Sequence, residues 1–318
     1  MRRERIELFK IKQDKTFEKG FEEFILYCKA KNLREATVKH YYTIVHIIYK
    51  FIPPSTKINL ITSKTVEQLI LYLRVETNQN SVSINTTLVT LRAILYYFMK
   101  LDYMKSFKVS LIKAEKKIKE TYTEAELHLL LQKPNIKNCT FLEYRNWVCV
   151  NFFMATGCRA GTLCNLRIKD LDFDNELIRF SWTKNRRQQI VPMSNSLKLI
   201  LIEYLQYREG GAEDYVFVNS YRGYLKPDQL AHNIIKYNRR RGVLKTGVHR
   251  FRHTFAKNWI LNGGDIFKLQ KMLGHSSMDM VRNYVEMFTD DLQQDFNMVN
   301  PLENLQKHNK KDFMRLRG

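Results

Sequence analysis

The residues of this chain best suited to chemistry gather toward its C-terminal end. His249-Arg250-Phe251-Arg252-His253-Thr254-Phe255-Ala256 is followed by Leu273-Gly274-His275 and then by Tyr284. His249 and Arg252 stand three apart, so a helix puts them on one face. An imidazole, with an ordinary pKa near 6.5, exchanges protons at neutral pH. A guanidinium presents a planar fork that matches the oxygens of a phosphate. A phenol can carry a covalent ester. Together these groups suit attack on an anionic centre whose growing charge is held by fixed cations.

Helix termini are what must bring them together. Asn262-Gly263-Gly264 stops the helix that carries His249 and Arg252, because glycine takes the left-handed cap conformation cheaply. A second helix follows, with Ile266, Leu269, Met272 and Leu273 on one side. Gly274 ends it and leaves His275 just past a C-cap. Ser276 or Ser277 caps a third short helix that carries Tyr284. Upstream, an apolar helix over 143–156, with Trp147, Val150, Phe153 and Met154, runs into Thr156-Gly157-Cys158-Arg159. A short helix through Leu166 comes next. Residues 176–182 alternate as a strand through Ile178, Phe180 and Trp182, and residues 187–193 form a second. The turn between them is Thr183-Lys184-Asn185-Arg186. Helices are expected over 196–209 and 228–240, and Arg239, Arg240 and Arg241 stand just ahead of His249.

The N-terminal third reads as four helices, over 16–31, 35–52, 64–75 and 82–101. Phe17, Phe21, Phe24, Ile25 and Cys28 share a face of the first, and Pro53-Pro54 end the second. The fourth turns Ile84, Leu88, Leu91, Ile94, Leu95 and Phe98 inward and leaves Asn85, Thr86 and Arg92 polar. That polar face suits phosphate contacts or plain solvation. Residues 104–120 read as a basic linker with Lys113, Lys116 and Lys117, passing along phosphates or serving as a solvated tether. Thr123 and Glu126 form a capping box that opens the next domain. The expected divisions are a helical DNA-binding domain over 14–103, the linker over 104–120, a catalytic domain over 121–300 and a basic tail over 301–318.

The charge balance narrows the partner. The 318 residues carry 53 Lys and Arg against 32 Asp and Glu, a net charge of +21. Residues 1–110 already hold 19 basic and 10 acidic side chains, so the excess is not a tail effect. A polyanion is the expected partner, nucleic acid before an anionic membrane. The longest apolar runs, such as 148–155, fall well short of the roughly 18 residues a membrane helix needs. Five cysteines without a C-x-x-C pair read as reduced thiols in the cytoplasm and not as a disulfide or zinc framework. No cofactor and no metal is expected.

H-x-x-R-H-T-F-A, then L-G-H-S-S, then a tyrosine resembles the C-terminal signature of the tyrosine recombinases, the phage-integrase family. The 23 residues from Arg252 to His275 and the nine from His275 to Tyr284 match its spacing. Thr156-Gly157-Cys158-Arg159 resembles the family's first arginine motif, except that Thr162 stands where the family usually has an acid. Lys184 precedes Pro192 by eight residues, as the family's hairpin lysine precedes its V-P pair.

The resemblance implies a mainly helical fold with a small β-sheet: a four-helix, SAM-like core-binding domain and a mixed α/β catalytic domain. It implies Arg159, Lys184, His249, Arg252, His275 and Tyr284 as the catalytic set, with Tyr284 the nucleophile. It further implies site-specific cutting and rejoining of double-stranded DNA through a 3′-phosphotyrosyl intermediate, by a tetramer on synapsed sites. Asn85, Thr86, Arg92, Lys113, Lys116, Lys117, Arg186 and Arg239 to Arg241 are the expected DNA contacts. His253 reads as a structural histidine. The same residues leave two alternatives open: DNA relaxation of the type IB topoisomerase kind, and a DNA-binding module without activity.

Overall fold

The computed structural model describes residues 15–114, 120–183 and 187–274, together with Met278, Arg282 and Tyr284. The chain divides into two units, Met1–Lys117 and Ile118–Gly318.

Unit 1 is four helices: α1 (Phe17–Ala30), α2 (Glu35–Tyr49), α3 (Ser63–Val75) and α4 (Ser81–Lys100). Each begins where the sequence supplies a cap or a bend. The Thr16 hydroxyl accepts from the Lys19 amide, Thr62 and Thr65 close a reciprocal box, and Asn80 Oδ1 accepts from the Ser83 amide at 2.9 Å. α4 is the central element, with Ile84, Leu88, Leu91, Ile94, Leu95 and Phe98 all fully buried. By length and composition alone α4 could cross a bilayer; its apolar face is used instead to close this core. α1 crosses it tightly: a Cβ on Gly20 would lie 2.5 Å from Ile58 and 2.8 Å from Phe98.

The expected linker begins later than residue 104. Met104 and Val109 are buried in the unit 1 core, and Phe107 and Ile112 pack against it. Asn85 secures this strap. Its Nδ2 donates to the Ile112 carbonyl at 2.9 Å, and its Oδ1 accepts from the Ile112 amide at 3.0 Å. The side chain expected on phosphate is therefore occupied by backbone 27 residues away. Asn85→Ala should free the strap, at a cost of about 1–3 kcal/mol for two half-buried bonds. Faster tryptic cutting after Lys108 or Lys113 is the expected result, and an unchanged cleavage rate would disprove the clasp.

Unit 2 is built around α6 (Phe141–Thr156), preceded by α5 (Glu124–Leu131) and followed by α7 (Ala160–Cys164). The capping box predicted at Thr123 and Glu126 forms. α6 is buried on nearly every side, from Tyr144 to Thr156, so a one-sided apolar stripe is absent. Even Arg145 is fully buried, donating to the Val218 carbonyl at 2.6 Å and to Asn146 Oδ1 at 2.7 Å. A three-stranded antiparallel sheet follows, β1 (Leu171–Asp172), β2 (Leu177–Phe180) and β3 (Gln189–Pro192), with Ile178 paired to Val191. The strands are shorter than the alternation predicted. Ile178 and Phe180 point inward, but Trp182 lies past the end of β2 and is 43% exposed over Gly161.

α8 (Asn195–Arg208), α9 (Pro227–Arg240), α10 (Val248–Leu261) and α11 (Ile266–Leu273) complete the described elements, and α10 packs on α6. Arg241, expected on DNA, braces the fold. Its Nη1 donates to the Leu129 and Gln132 carbonyls at 3.1 and 2.9 Å, and its guanidinium lies over the Tyr237 ring. Cys28, Cys149, Cys158 and Cys164 are buried free thiols, and Cys139 is half-buried. Burial pushes Cys158 and Cys164 up to about 12 and also raises Cys28 and Cys149.

Candidate active site

α6 ends at Gly157 in the left-handed conformation, φ 61°, with its amide donating to the Phe153 carbonyl. The next turn delivers Arg159 to the N-terminus of α7, half-buried. Arg252, one turn into α10, is only 4% exposed. Its Nη1 donates to the Gly157 carbonyl and its Nη2 to the Leu273 carbonyl, both at 2.8 Å. These carbonyls belong to the C-terminal ends of α6 and α11, where acceptors lack intrahelical partners and the helix dipole favours a cation. One guanidinium thus joins two helix ends. Gln189 on β3 reinforces the second, donating from Nε2 to the Lys271 and Met272 carbonyls at 2.6 and 2.7 Å.

The two arginines sense each other. Burial and then the Arg159 charge lower Arg252 to about 10, and burial lowers Arg159. Both remain cations at neutral pH. Tyr284 sits against them, 4% exposed. Burial raises its pKa, opposed by a hydrogen bond from Arg252 and the positive charges of Arg252 and Arg159. Tyr284 Oη also lies 2.8 Å from His253 Nδ1, with ring centroids 5.6 Å apart.

The structure therefore brings together Arg159, Arg252 and Tyr284 of the expected catalytic set. His249 lies one helical turn before Arg252, with an exposed side chain. Lys184 and His275 lie outside the described residues, as do Lys116, Lys117 and Arg186 of the expected DNA contacts. Thr162 is buried in α7 at 5% exposure. His253, read from the sequence as a structural histidine, also stands at the Tyr284 phenol, and its place beside Arg252 is the one sequence signal of that contact.

Residues 120–290 match the phage integrase family, a span of more than half the chain that includes this whole site. The chain belongs to the phage integrase family. Among relatives of this chain, the tyrosine recombinase XerC of Oceanobacillus iheyensis is 25% identical over 287 residues, 86% of this chain and 93% of that one. A Tn1549 transposon integrase, solved in complex with a circular intermediate DNA, shares the fold with a TM-score of 0.71 at 19% identity, over 88% of this chain and 99% of that chain. A lambda integrase tetramer bound to a Holliday junction is similar, with a TM-score of 0.67 at 16% identity, over 86% and 78%.

Gly157 ties the two arginines to one helix end. Its left-handed turn ends α6 so that Arg159 leaves the helix toward Arg252, and its carbonyl receives the Arg252 fork.

Proposed function

We propose that this tyrosine recombinase cuts and rejoins double-stranded DNA at specific sites, with Tyr284 as the nucleophile. The observation that carries the reading is the convergence of Arg159 and Arg252 on the buried Tyr284 phenol. Tyr284 Oη attacks the scissile phosphorus, and the bond to the 5′-oxygen breaks, leaving a 3′-phosphotyrosyl ester that stores the bond for rejoining. Arg159 and Arg252 hold the non-bridging oxygens, where charge grows in the transition state. Lys184 protonates the departing 5′-oxygen, His275 donates to the phosphate, and His249 supports the phosphate or its proton transfers.

Thr86, Arg92, Lys113, Arg239 and Arg240 remain the DNA-facing candidates, because they are exposed or half-exposed. The working assembly is a tetramer on two synapsed sites, the form in which lambda integrase was solved on a junction. The protein acts with the DNA of the cytoplasm.

Trapping on nicked duplexes tests this reading. The released fragment diffuses away, so cleavage leaves a covalent protein–DNA band on a denaturing gel, and peptide mapping should place the DNA on Tyr284. Arg252→Lys keeps the charge but loses the fork that spans two helix ends. It should lower the cleavage rate by about 10²–10³-fold with binding retained. Binding lost in proportion to cleavage would contradict the role given to Arg252, and a band mapping elsewhere would remove Tyr284.

A further inference from the structure

A buried tyrosine is a poor nucleophile while it keeps its proton, and burial favours the neutral phenol here. The site must therefore include an acceptor within reach of Tyr284 Oη. The two guanidiniums cannot serve, since neither gives up its own proton at neutral pH. His249, three residues before Arg252, carries an exposed ring. His253 is the imidazole placed at the phenol, with Nδ1 2.8 Å from Oη, inside hydrogen-bond range.

The helix explains why adjacent residues take different tasks. Successive α-helical side chains are turned by about 100°. Arg252 therefore reaches inward to Gly157 and Leu273, while His253 is directed to the face where Tyr284 packs. His253 is only partly buried, so its ring retains a route to solvent for the proton.

We propose that His253 is a further catalytic residue: its Nδ1 receives the phenol proton as Tyr284 Oη bonds to the scissile phosphorus. The inference rests on Tyr284 being the nucleophile. In the forward step the Oη–P bond forms, the P–O5′ bond breaks, and the proton moves from Oη to Nδ1. The 5′-oxygen takes its proton from a separate acid. In rejoining, the 5′-hydroxyl attacks, the tyrosine leaves, and His253 returns the proton to it, as microscopic reversibility requires. The negative charge growing on the phosphate offsets the positive charge that the proton brings to the ring.

The test is single-turnover cleavage of a nicked duplex by the full chain, with DNA binding followed by mobility shift. His253→Asn keeps an acceptor oxygen near the Nδ1 position but cannot take the proton. The expected result is a covalent band forming about 10²-fold more slowly or worse, with binding retained. His253→Ala supplies the second arm, because added imidazole should restore part of its rate, and restoration also shows that the variant folds. Wild-type cleavage by His253→Asn, or a His253→Ala rate that imidazole leaves unchanged, would overturn the proposal. Tyr284→Phe run in parallel separates the two readings. A covalent band from Tyr284→Phe means that the nucleophile assignment has failed. No band from Tyr284→Phe, together with full-rate His253→Asn, means that only the role of His253 has failed.

Discussion

Tyr284→Phe should abolish the covalent protein–DNA band and leave the protein folded and able to bind DNA. The substitution removes one oxygen from a ring that is 4% exposed, so the phenyl group fills the same space among the same neighbours. What disappears is the atom that His253 and Arg252 both address. The stability cost is that of two hydrogen bonds, about 1–3 kcal/mol. The catalytic cost is the whole covalent path, a loss of at least about 10⁴-fold. Melting temperature and mobility shift check the first half of this expectation, and the denaturing gel checks the second. A surviving band would mean that another hydroxyl does the work and that the two arginines clamp a bystander.

Gly157→Ala should be the most damaging single-methyl change near the site. Two penalties coincide. The residue sits at φ 61°, where a side chain costs about 1–2 kcal/mol. Its new Cβ would lie 2.5 Å from Phe255 Cδ1 and 2.8 Å from Leu273 Cδ2, and overpacking of this kind costs about 1–3 kcal/mol. A total loss of roughly 2–5 kcal/mol should appear in denaturant unfolding. The displaced groups are not neutral bystanders. Leu273 and Gly157 supply the two carbonyls that hold Arg252, so cleavage should fall further than folding alone explains. Gly263→Ala is the control: that glycine has φ 70° but nothing within 4 Å of an added Cβ, so only the backbone cost applies. Equal losses at the two positions would show that the packing around Gly157 is soft.

Local patterns carried much of this fold. The inward positions of α4, the cap at Thr123 and the stop at Gly274 follow from apolar spacing and residue type alone. Arg159, Arg252 and Tyr284 were legible because their spacing resembles a family, not because the residues announce their partners. Contacts between distant segments were not legible. Asn85 looks like any polar residue on a helix until Ile112 returns to it, and Arg241 looks like the third of three cations until the carbonyls of Leu129 and Gln132 are found beneath it. Arg145 breaks the rule that charge stays at the surface, because its acceptors come from Val218 and Asn146. Trp182 shows the opposite error: alternation continued one step after the strand had ended, and the ring emerged on the surface.

The sealed cysteines make the molecule its own stopwatch. A thiol reacts with an alkylating reagent as the thiolate, and only when the reagent can reach it. In the native state Cys28, Cys149, Cys158 and Cys164 meet neither condition, whereas Cys139 is partly accessible. Labelling of the four silent positions therefore counts openings, as slow amide exchange does, with a mass tag that survives digestion. Cys28 reports on unit 1. Cys149 and Cys164 report on the interior of unit 2. Cys158, between the α6 stop and Arg159, records how often the loop bearing that guanidinium lifts.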